Sequence, residues 1–136
     1  MRWKLGLTPD RWWTESEHLE RDERLTACVA EVGAFLIAMA ARELIANAKR
    51  HVDVDGEAEL QLDVDAATVC ILIPGPNFDS VAWANAHPGC FLERLDRMLV
   101  EDGVHWSWTA EAGLNRIDFS LGSSRLWRRI GRTDDE

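Results

Sequence analysis

The apolar and polar positions of the chain predict two helices in its first third. No proline occurs between residues 15 and 51, and the segment is helical in character, with Gly33 as its one plausible break. We therefore predict helices over about 15–31 and 34–51. The second is apolar on all sides from Ala34 to Ala41, which indicates burial against a sheet.

Two segments after residue 56 have the patterns of strands. The segment "EAELQLDV" alternates, and its core-facing positions are predicted to be Ala58, Leu60, Leu62 and Val64. The segment "TVCILIP" (68–74) is continuously apolar, which is typical of a more central strand. We predict irregular structure over 79–89, where Pro88 and Gly89 end the segment.

The rest of the chain predicts one more helix and two more strands. The segment "CFLERLDRMLVEDG" is an amphipathic helix pattern closed by Gly103, with apolar positions at Phe91, Leu92, Leu95, Met98 and Leu99. The segments "VHWSWTAE" and "GLNRIDFSLG" are strand patterns joined near Gly113, and "SSRLWRRIGR" predicts a short C-terminal helix.

This order of elements predicts an α/β two-layer sandwich in a single domain over 1–136. We expect a mixed, mostly antiparallel sheet with its helices on one face. Residues 1–14 are predicted to be an N-terminal extension, 15–122 the core, and 123–136 a C-terminal helix and tail.

The charge distribution excludes a nucleic-acid partner. The 136 residues carry 24 acidic and 15 basic side chains and a net charge of −9, whereas phosphate neutralisation needs surplus Lys and Arg. Between Arg50 and Arg94 there is no Lys or Arg, while eight acidic residues fall in that span. The middle of the chain therefore repels anions.

The cysteines and the apolar segments favour a cytoplasmic protein without a membrane partner. The chain has an odd number of cysteines, Cys28, Cys70 and Cys90, and each lies among apolar neighbours. Both features favour reduced thiols. The first residues form no continuous apolar leader. The apolar stretch over 27–41 is interrupted by Glu31 and Gly33, and it is too short to span a bilayer.

The segment "RELIANAKRH" (42–51) places Glu43 and Asn47 four positions apart in an otherwise apolar helix. Four residues make about one helical turn, so the two side chains share a face. Taken alone, the pair indicates either polar positions on a helix surface or a buried pair satisfied by backbone groups.

This motif resembles the N box of the histidine-kinase-like ATPase superfamily, which includes sensor kinases, gyrase and the small anti-sigma serine kinases. In that family a Glu or His is followed four residues later by Asn, then by Ala, a basic residue and His. The resemblance covers about 34–121. It implies Asn47 as the ligand of the Mg²⁺ of bound Mg-ATP and Glu43 as the general base if the site is active, with Lys49 and His51 near the phosphates.

Two further motifs of the family are altered here. The family ends a strand with Asp-x-Gly-x-Gly and an apolar residue, and this chain has Ile73, Gly75, Asn77 and Phe78 in "IPGPNF". The resemblance implies that Ile73 occupies the position of the adenine-reading Asp. The Gly-x-Gly-Leu phosphate motif resembles "GCFL", which keeps Gly89 and Leu92 and has Phe91 at the second glycine.

The segment 79–89, where the family has its lid, contains no Lys or Arg, although clamping a triphosphate of about four negative charges normally takes cations or aligned amides. We therefore expect a degenerate member of the family that works by binding a protein partner, as anti-sigma factors do, with weak or no ATP binding. The alternatives are an active Mg-ATP-dependent serine kinase and a small-molecule sensor that uses the former nucleotide pocket. Family members of this size often dimerise, so a homodimer is a further alternative.

Two groups of residues carry open interpretations. Trp3, Trp12, Trp13 and Trp127 lie in the terminal segments, where they either form a partner surface with nearby arginines or fold back over the domain. His87 and Cys90 have the spacing of a metal half-site. An ordinary loop histidine and a buried cysteine are the interpretation we favour, because zinc sites usually show paired ligands twice.

Overall fold

One antiparallel sheet of five strands organises the part of the chain that the computed structural model describes, residues 1–52, 54 and 56–128. The order of the strands across the sheet is β1-β2-β3-β5-β4, and all pairings between neighbours are antiparallel, where a mixed sheet was expected. The strands are β1 (Arg2–Gly6), β2 (Glu57–Asp63), β3 (Thr68–Pro74), β4 (His105–Glu111) and β5 (Leu114–Ser120).

Five helices accompany the sheet within the described residues: α1 (Pro9–Glu20), α2 (Glu23–Thr26), α3 (Glu31–His51), α4 (Ser80–Ala86) and α5 (Phe91–Glu101). The predicted break at Gly33 is wrong, because α3 runs through that residue. A Cβ at position 33 would lie 3.1 Å from the Leu126 Cβ and 3.3 Å from the Val29 Cβ. Glycine there permits close packing against α3 and does not end the helix.

Strands β2 and β5 place alternate residues in the core, as predicted for β2, and β3 is buried more continuously, as predicted for a more central strand. Leu60 pairs with Ile71, and Ile71 pairs with Ile117 on the neighbouring strand, and all three are fully buried. Val64, predicted to face inward, is 39% exposed because β2 ends one residue earlier, at Asp63.

Residues 1–14 belong to the fold, and the prediction that they extend from it is wrong. Strand β1 pairs with β2, with Leu5 opposite Ala58 and both buried. Trp12 is also buried, while Trp3 and Trp127 pack partly against the core. Three of the four terminal tryptophans therefore fold back over the domain, and Trp13, which is 52% exposed, has the Arg42 guanidinium 4.1 Å from its ring centroid.

Two other segments differ from their predictions. The stretch over 79–89 was expected to be irregular but contains α4, because the Asp79 carboxylate accepts a hydrogen bond from the Ala82 N–H at 2.9 Å and caps it. The predicted C-terminal helix is absent over 123–128, where turns lead to a bridge between Trp127 and Val29. The rest of that prediction, 129–136, lies outside the described residues.

Helix α3 is the central helix of the layer above the sheet, and it contacts both α1 and α5. Its buried positions Leu36, Leu44 and Ile45 join the inward residues of the strands in one hydrophobic cluster. This mixed α/β arrangement is compatible with the predicted two-layer sandwich. Within the described residues, none of the helices combines the length and apolar character needed to cross a membrane.

Candidate functional site

Asn47 is a buried polar residue that lies one turn before the end of α3. Its side chain is only 4% exposed, and neither Oδ1 nor Nδ2 has a hydrogen-bond partner among the described residues. A buried polar group without a partner costs about 1–3 kcal/mol, and native structures keep few of them. Asn47 lies on the inward side of α3 because helical spacing groups it with Leu44 and Ala48, which pack into the core.

The Asn47 side chain lines a small cavity between α3, α4 and the start of α5. The volume of this cavity is about 70 Å³, roughly the space of two water molecules. We call it the Asn47 cavity, and its lining residues are Glu43, Asn47, Arg50, Trp83, Cys90, Phe91 and Leu92.

Two opposite charges flank the amide along the same helix. Glu43, Asn47 and Arg50 follow the spacing i, i+4, i+7, which places them on one face of α3. Within the part of the chain that the structure describes, neither Glu43 nor Arg50 forms an ion pair. The cavity therefore has an acceptor at one end, a donor at the other, and an amide that offers both between them.

A stack of four rings borders the cavity on the α4 side. His51 stacks on Phe78 with 5.4 Å between ring centroids, and it lies 5.1 Å from Trp83. Trp83 in turn stacks on His87 at 4.2 Å, and His87 Nδ1 lies 2.7 Å from the Trp83 carbonyl oxygen. These contacts hold the Trp83 ring at the cavity wall.

The start of α5 supplies the opposite wall. The Cys90 Sγ accepts a hydrogen bond from the Glu93 N–H at 3.4 Å and so caps the helix. Both Leu92 and Phe91 line the cavity, and Leu92 is buried while Phe91 is 39% exposed. Gly89 has a φ of +87° in the turn before the helix, which favours glycine there.

The segment 73–78, which resembles the family's adenine motif, lies outside the Asn47 cavity. Ile73 is fully buried on the core face of β3, where it pairs with Asn115 of β5. Gly75 has a φ of +131°, and its N–H donates to the Gly113 carbonyl at 3.0 Å. Asn77 is exposed. None of these three residues lines the Asn47 cavity.

Asn115 organises the loop after β3, and sequence reasoning missed it. Its Oδ1 accepts hydrogen bonds from the Phe78 N–H at 2.7 Å and the Trp108 indole N–H at 3.0 Å. Its Nδ2 donates to the Pro76 carbonyl at 2.8 Å. A polar residue at an inward position of a strand is the sequence signal that could have identified it.

The ten predicted site residues therefore separate into groups. Glu43, Asn47 and Leu92 line the Asn47 cavity, whereas His51 and Phe78 do not line it and belong to the ring stack beside it. The Lys49 ammonium donates instead to the Val54 carbonyl at 3.0 Å. The sequence did not assign Arg50, Trp83 or Cys90 to this site, although the seven-residue spacing from Glu43 could have identified Arg50.

The residues do not fit Mg-ATP. An amide oxygen at Asn47 suits Mg²⁺, but the cavity volume of about 70 Å³ is several times smaller than the roughly 300–1,000 Å³ of ligand pockets. Ile73, which the resemblance places at the adenine-reading position, is fully buried in the core, and the Lys49 ammonium donates to a backbone carbonyl. The described residues also hold no group of three or more His, Cys, Asp or Glu side chains that could bind a metal ion.

A larger hollow of about 500 Å³ lies on the outer face of the sheet, near Cys70 and Arg116. Burial is the largest effect on the Cys70 thiol and raises its pKa to about 12, although the positive charge of Arg116 acts to lower that pKa. Arg116 is paired with the Asp118 carboxylate at 3.0 Å. Because the Cys70 thiol is protonated and Arg116 is paired with Asp118, neither residue gives this hollow a reactive group.

The chain matches no protein-family model, no curated protein and no solved structure in the comparisons with known proteins. The resemblance to the histidine-kinase-like ATPases therefore rests on the motifs of the sequence.

Proposed function

We propose that this chain is a cytoplasmic regulatory domain that works by binding a protein partner and that derives from the histidine-kinase-like ATPase fold, with weak or no affinity for Mg-ATP. The observation that carries the weak or absent affinity for Mg-ATP is the size of the Asn47 cavity. Its volume of about 70 Å³ accommodates a few atoms and not a nucleotide.

The charges near the cavity support the same proposal. Arg50 is the cation among the residues that line the Asn47 cavity, and Glu43 lies on the same wall. No Lys or Arg occurs between residues 51 and 93, so the α4 segment contributes no cation. A triphosphate would meet repulsion with little compensation.

The outer surface of α5 is the contact surface that we propose for the partner. Phe91 and Met98 are 39% and 48% exposed, and they lie seven residues apart on one side of the helix. The Arg94 guanidinium lies between them, 6.0 Å from the Phe91 ring centroid. Exposed aromatic, Met and Arg side chains are enriched at protein interfaces.

Calorimetric titration with ATP, with and without Mg²⁺, tests the loss of nucleotide binding. We expect no binding heat at millimolar ATP. Micromolar, Mg²⁺-dependent binding that disappears in Asn47→Ala, and persists in the exposed control Asn85→Ala, would overturn the proposal. That result would favour the serine kinase alternative, with Glu43 as its base.

Photo-crosslinking in the native host tests the contact surface. A photoreactive phenylalanine at position 91 should give a discrete crosslinked protein. The matched control is position 100 on the same helix, because Val100 is 50% exposed and lies about 180° around α5 from Phe91. The same pattern of products from both positions would contradict the assignment of this surface.

A further inference from the structure

The two side-chain polar atoms of Asn47, one acceptor and one donor, define what a ligand of the cavity has to offer. The Oδ1 can accept and the Nδ2 can donate, and both atoms are buried at the cavity without a partner among the described residues. A simple anion would leave Oδ1 unpaired, and a simple cation would leave Nδ2 unpaired. A ligand that satisfies both atoms carries the two kinds of group side by side.

The flanking charges define the ligand further. Along the axis of α3, Asn47 lies about 6 Å and Arg50 about 10 Å beyond Glu43. The amide therefore lies between a carboxylate and a guanidinium that the described residues leave without an ion pair. A ligand with a positive group at one end and a negative group at the other complements this order of side chains.

We propose that the Asn47 cavity binds a free α-amino acid. Its ammonium group donates to the Glu43 carboxylate and to Asn47 Oδ1, and its carboxylate accepts from Asn47 Nδ2 and the Arg50 guanidinium. The five non-hydrogen atoms common to α-amino acids suit a cavity of about 70 Å³. This inference shares Phe91 with the proposed partner surface, but its test uses the chain alone and needs no partner.

The walls of the cavity decide where the amino-acid side chain goes. Among the lining residues Leu92 is buried and Trp83 is half-buried, whereas Phe91 is 39% exposed. In this proposal the side chain of the ligand lies on the exposed side of the cavity against the Phe91 ring, and that contact favours an apolar side chain. A zwitterion also carries no net charge, so the chain's net charge of −9 does not repel it.

The test is a titration of the full chain with L-leucine, L-alanine and glycine, followed by calorimetry and tryptophan fluorescence. Each amino acid should bind saturably, with L-leucine the tightest. Propionate, which lacks the ammonium group, and ethylamine, which lacks the carboxylate, should each bind at least about tenfold more weakly than L-alanine.

Three variants assign the contacts to their side chains. Glu43→Gln and Arg50→Gln should each weaken L-leucine binding about tenfold or more. Asn47→Leu should abolish binding while raising the thermal midpoint of the unliganded chain, because it replaces a buried unpaired amide with an apolar group. The control Arg21→Gln removes an exposed arginine away from the cavity and should leave binding unchanged.

Protection of Cys90 gives a second readout at the same place. Cys90 lines the cavity, so saturating L-leucine should slow its alkylation by iodoacetamide. The proposal is overturned if L-leucine shows no binding up to about 10 mM, if propionate or ethylamine binds as well as L-alanine, or if Arg21→Gln weakens binding as much as Arg50→Gln. None of these results depends on the ATP titration, so each proposal fails separately.

Discussion

The side-chain oxygen of Asn115 lies 2.7 Å from the backbone nitrogen of Phe78 and accepts a hydrogen bond from it. This bond joins β5 to the loop that follows β3, and the same oxygen accepts the Trp108 indole N–H from β4. Because Phe78 stacks on His51, the bond also fixes one end of the ring stack beside the Asn47 cavity.

Asn115→Ala should lower the free energy of unfolding by about 2–4 kcal/mol, because it leaves the Phe78 N–H and the Trp108 N–H without their acceptor. Urea denaturation followed by tryptophan fluorescence measures the change. Asn77→Ala is the matched control, since Asn77 is an exposed asparagine of the same loop. Equal stability of the two variants would contradict this role of Asn115.

Ile73→Asp should destabilise the fold severely, by more than about 3 kcal/mol, since it places a carboxylate in the core without a partner. Ile73 is fully buried. Leu72→Asp, on the opposite face of the same strand, should cost about 1 kcal/mol. The thermal midpoints of both variants at neutral pH measure the difference. A stable Ile73→Asp chain would contradict the burial of residue 73 and would indicate an open pocket there.

Acid should weaken the contact between β1 and the start of α2. Burial raises the pKa of Asp22, but hydrogen bonds from Arg24 and Trp3 outweigh it and lower that pKa from 3.8 to about 2. The Trp3 indole N–H donates to the Asp22 carboxylate at 2.8 Å.

A carboxyl whose pKa is lower in the folded chain stabilises the fold above its unfolded pKa and loses that effect as the pH falls toward its folded pKa. Between pH 4 and pH 2, the free energy of unfolding of the wild type should therefore fall by about 1–2 kcal/mol more than that of Asp22→Asn. Urea titrations across that range measure the difference. Parallel pH profiles for the two chains would show that Asp22 is not the group responsible.

Thiol reagents should modify Cys90 before the other two cysteines. Burial raises the pKa of Cys28 and raises that of Cys70 to about 12, so both thiols stay protonated and unreactive at pH 8. Cys90 is the least buried of the three. Mass spectrometry after brief alkylation should find one label at Cys90, and three labels after unfolding in urea. Early labelling of Cys70 would contradict its burial.

The periodic patterns allowed much of the fold to be predicted. Strand β3 has its predicted bounds, and β2, β4, β5 and α5 lie close to theirs, because a strand or helix that buries one face must repeat apolar residues with its own period. The spacing of Glu43 and Asn47 likewise brought both side chains to one cavity.

Elements with weak local signals were missed. Strand β1 has only Trp3 and Leu5 as inward residues, and an edge strand takes its conformation from its neighbour, here β2. Helix α4 has seven residues, too few for a full apolar stripe, although Asp79 was a visible cap.

The sequence by itself determined that α3 is buried and which face of β2 points inward, and it placed Glu43 and Asn47 on one stripe of a helix. Only the tertiary structure decided that α4 and the start of α5 close a small cavity over that stripe, and that Ile73 and Lys49 are used elsewhere. Periodicity reports whether a residue is buried. The partner of a buried polar group depends on contacts between distant segments, and these contacts leave no period in the sequence.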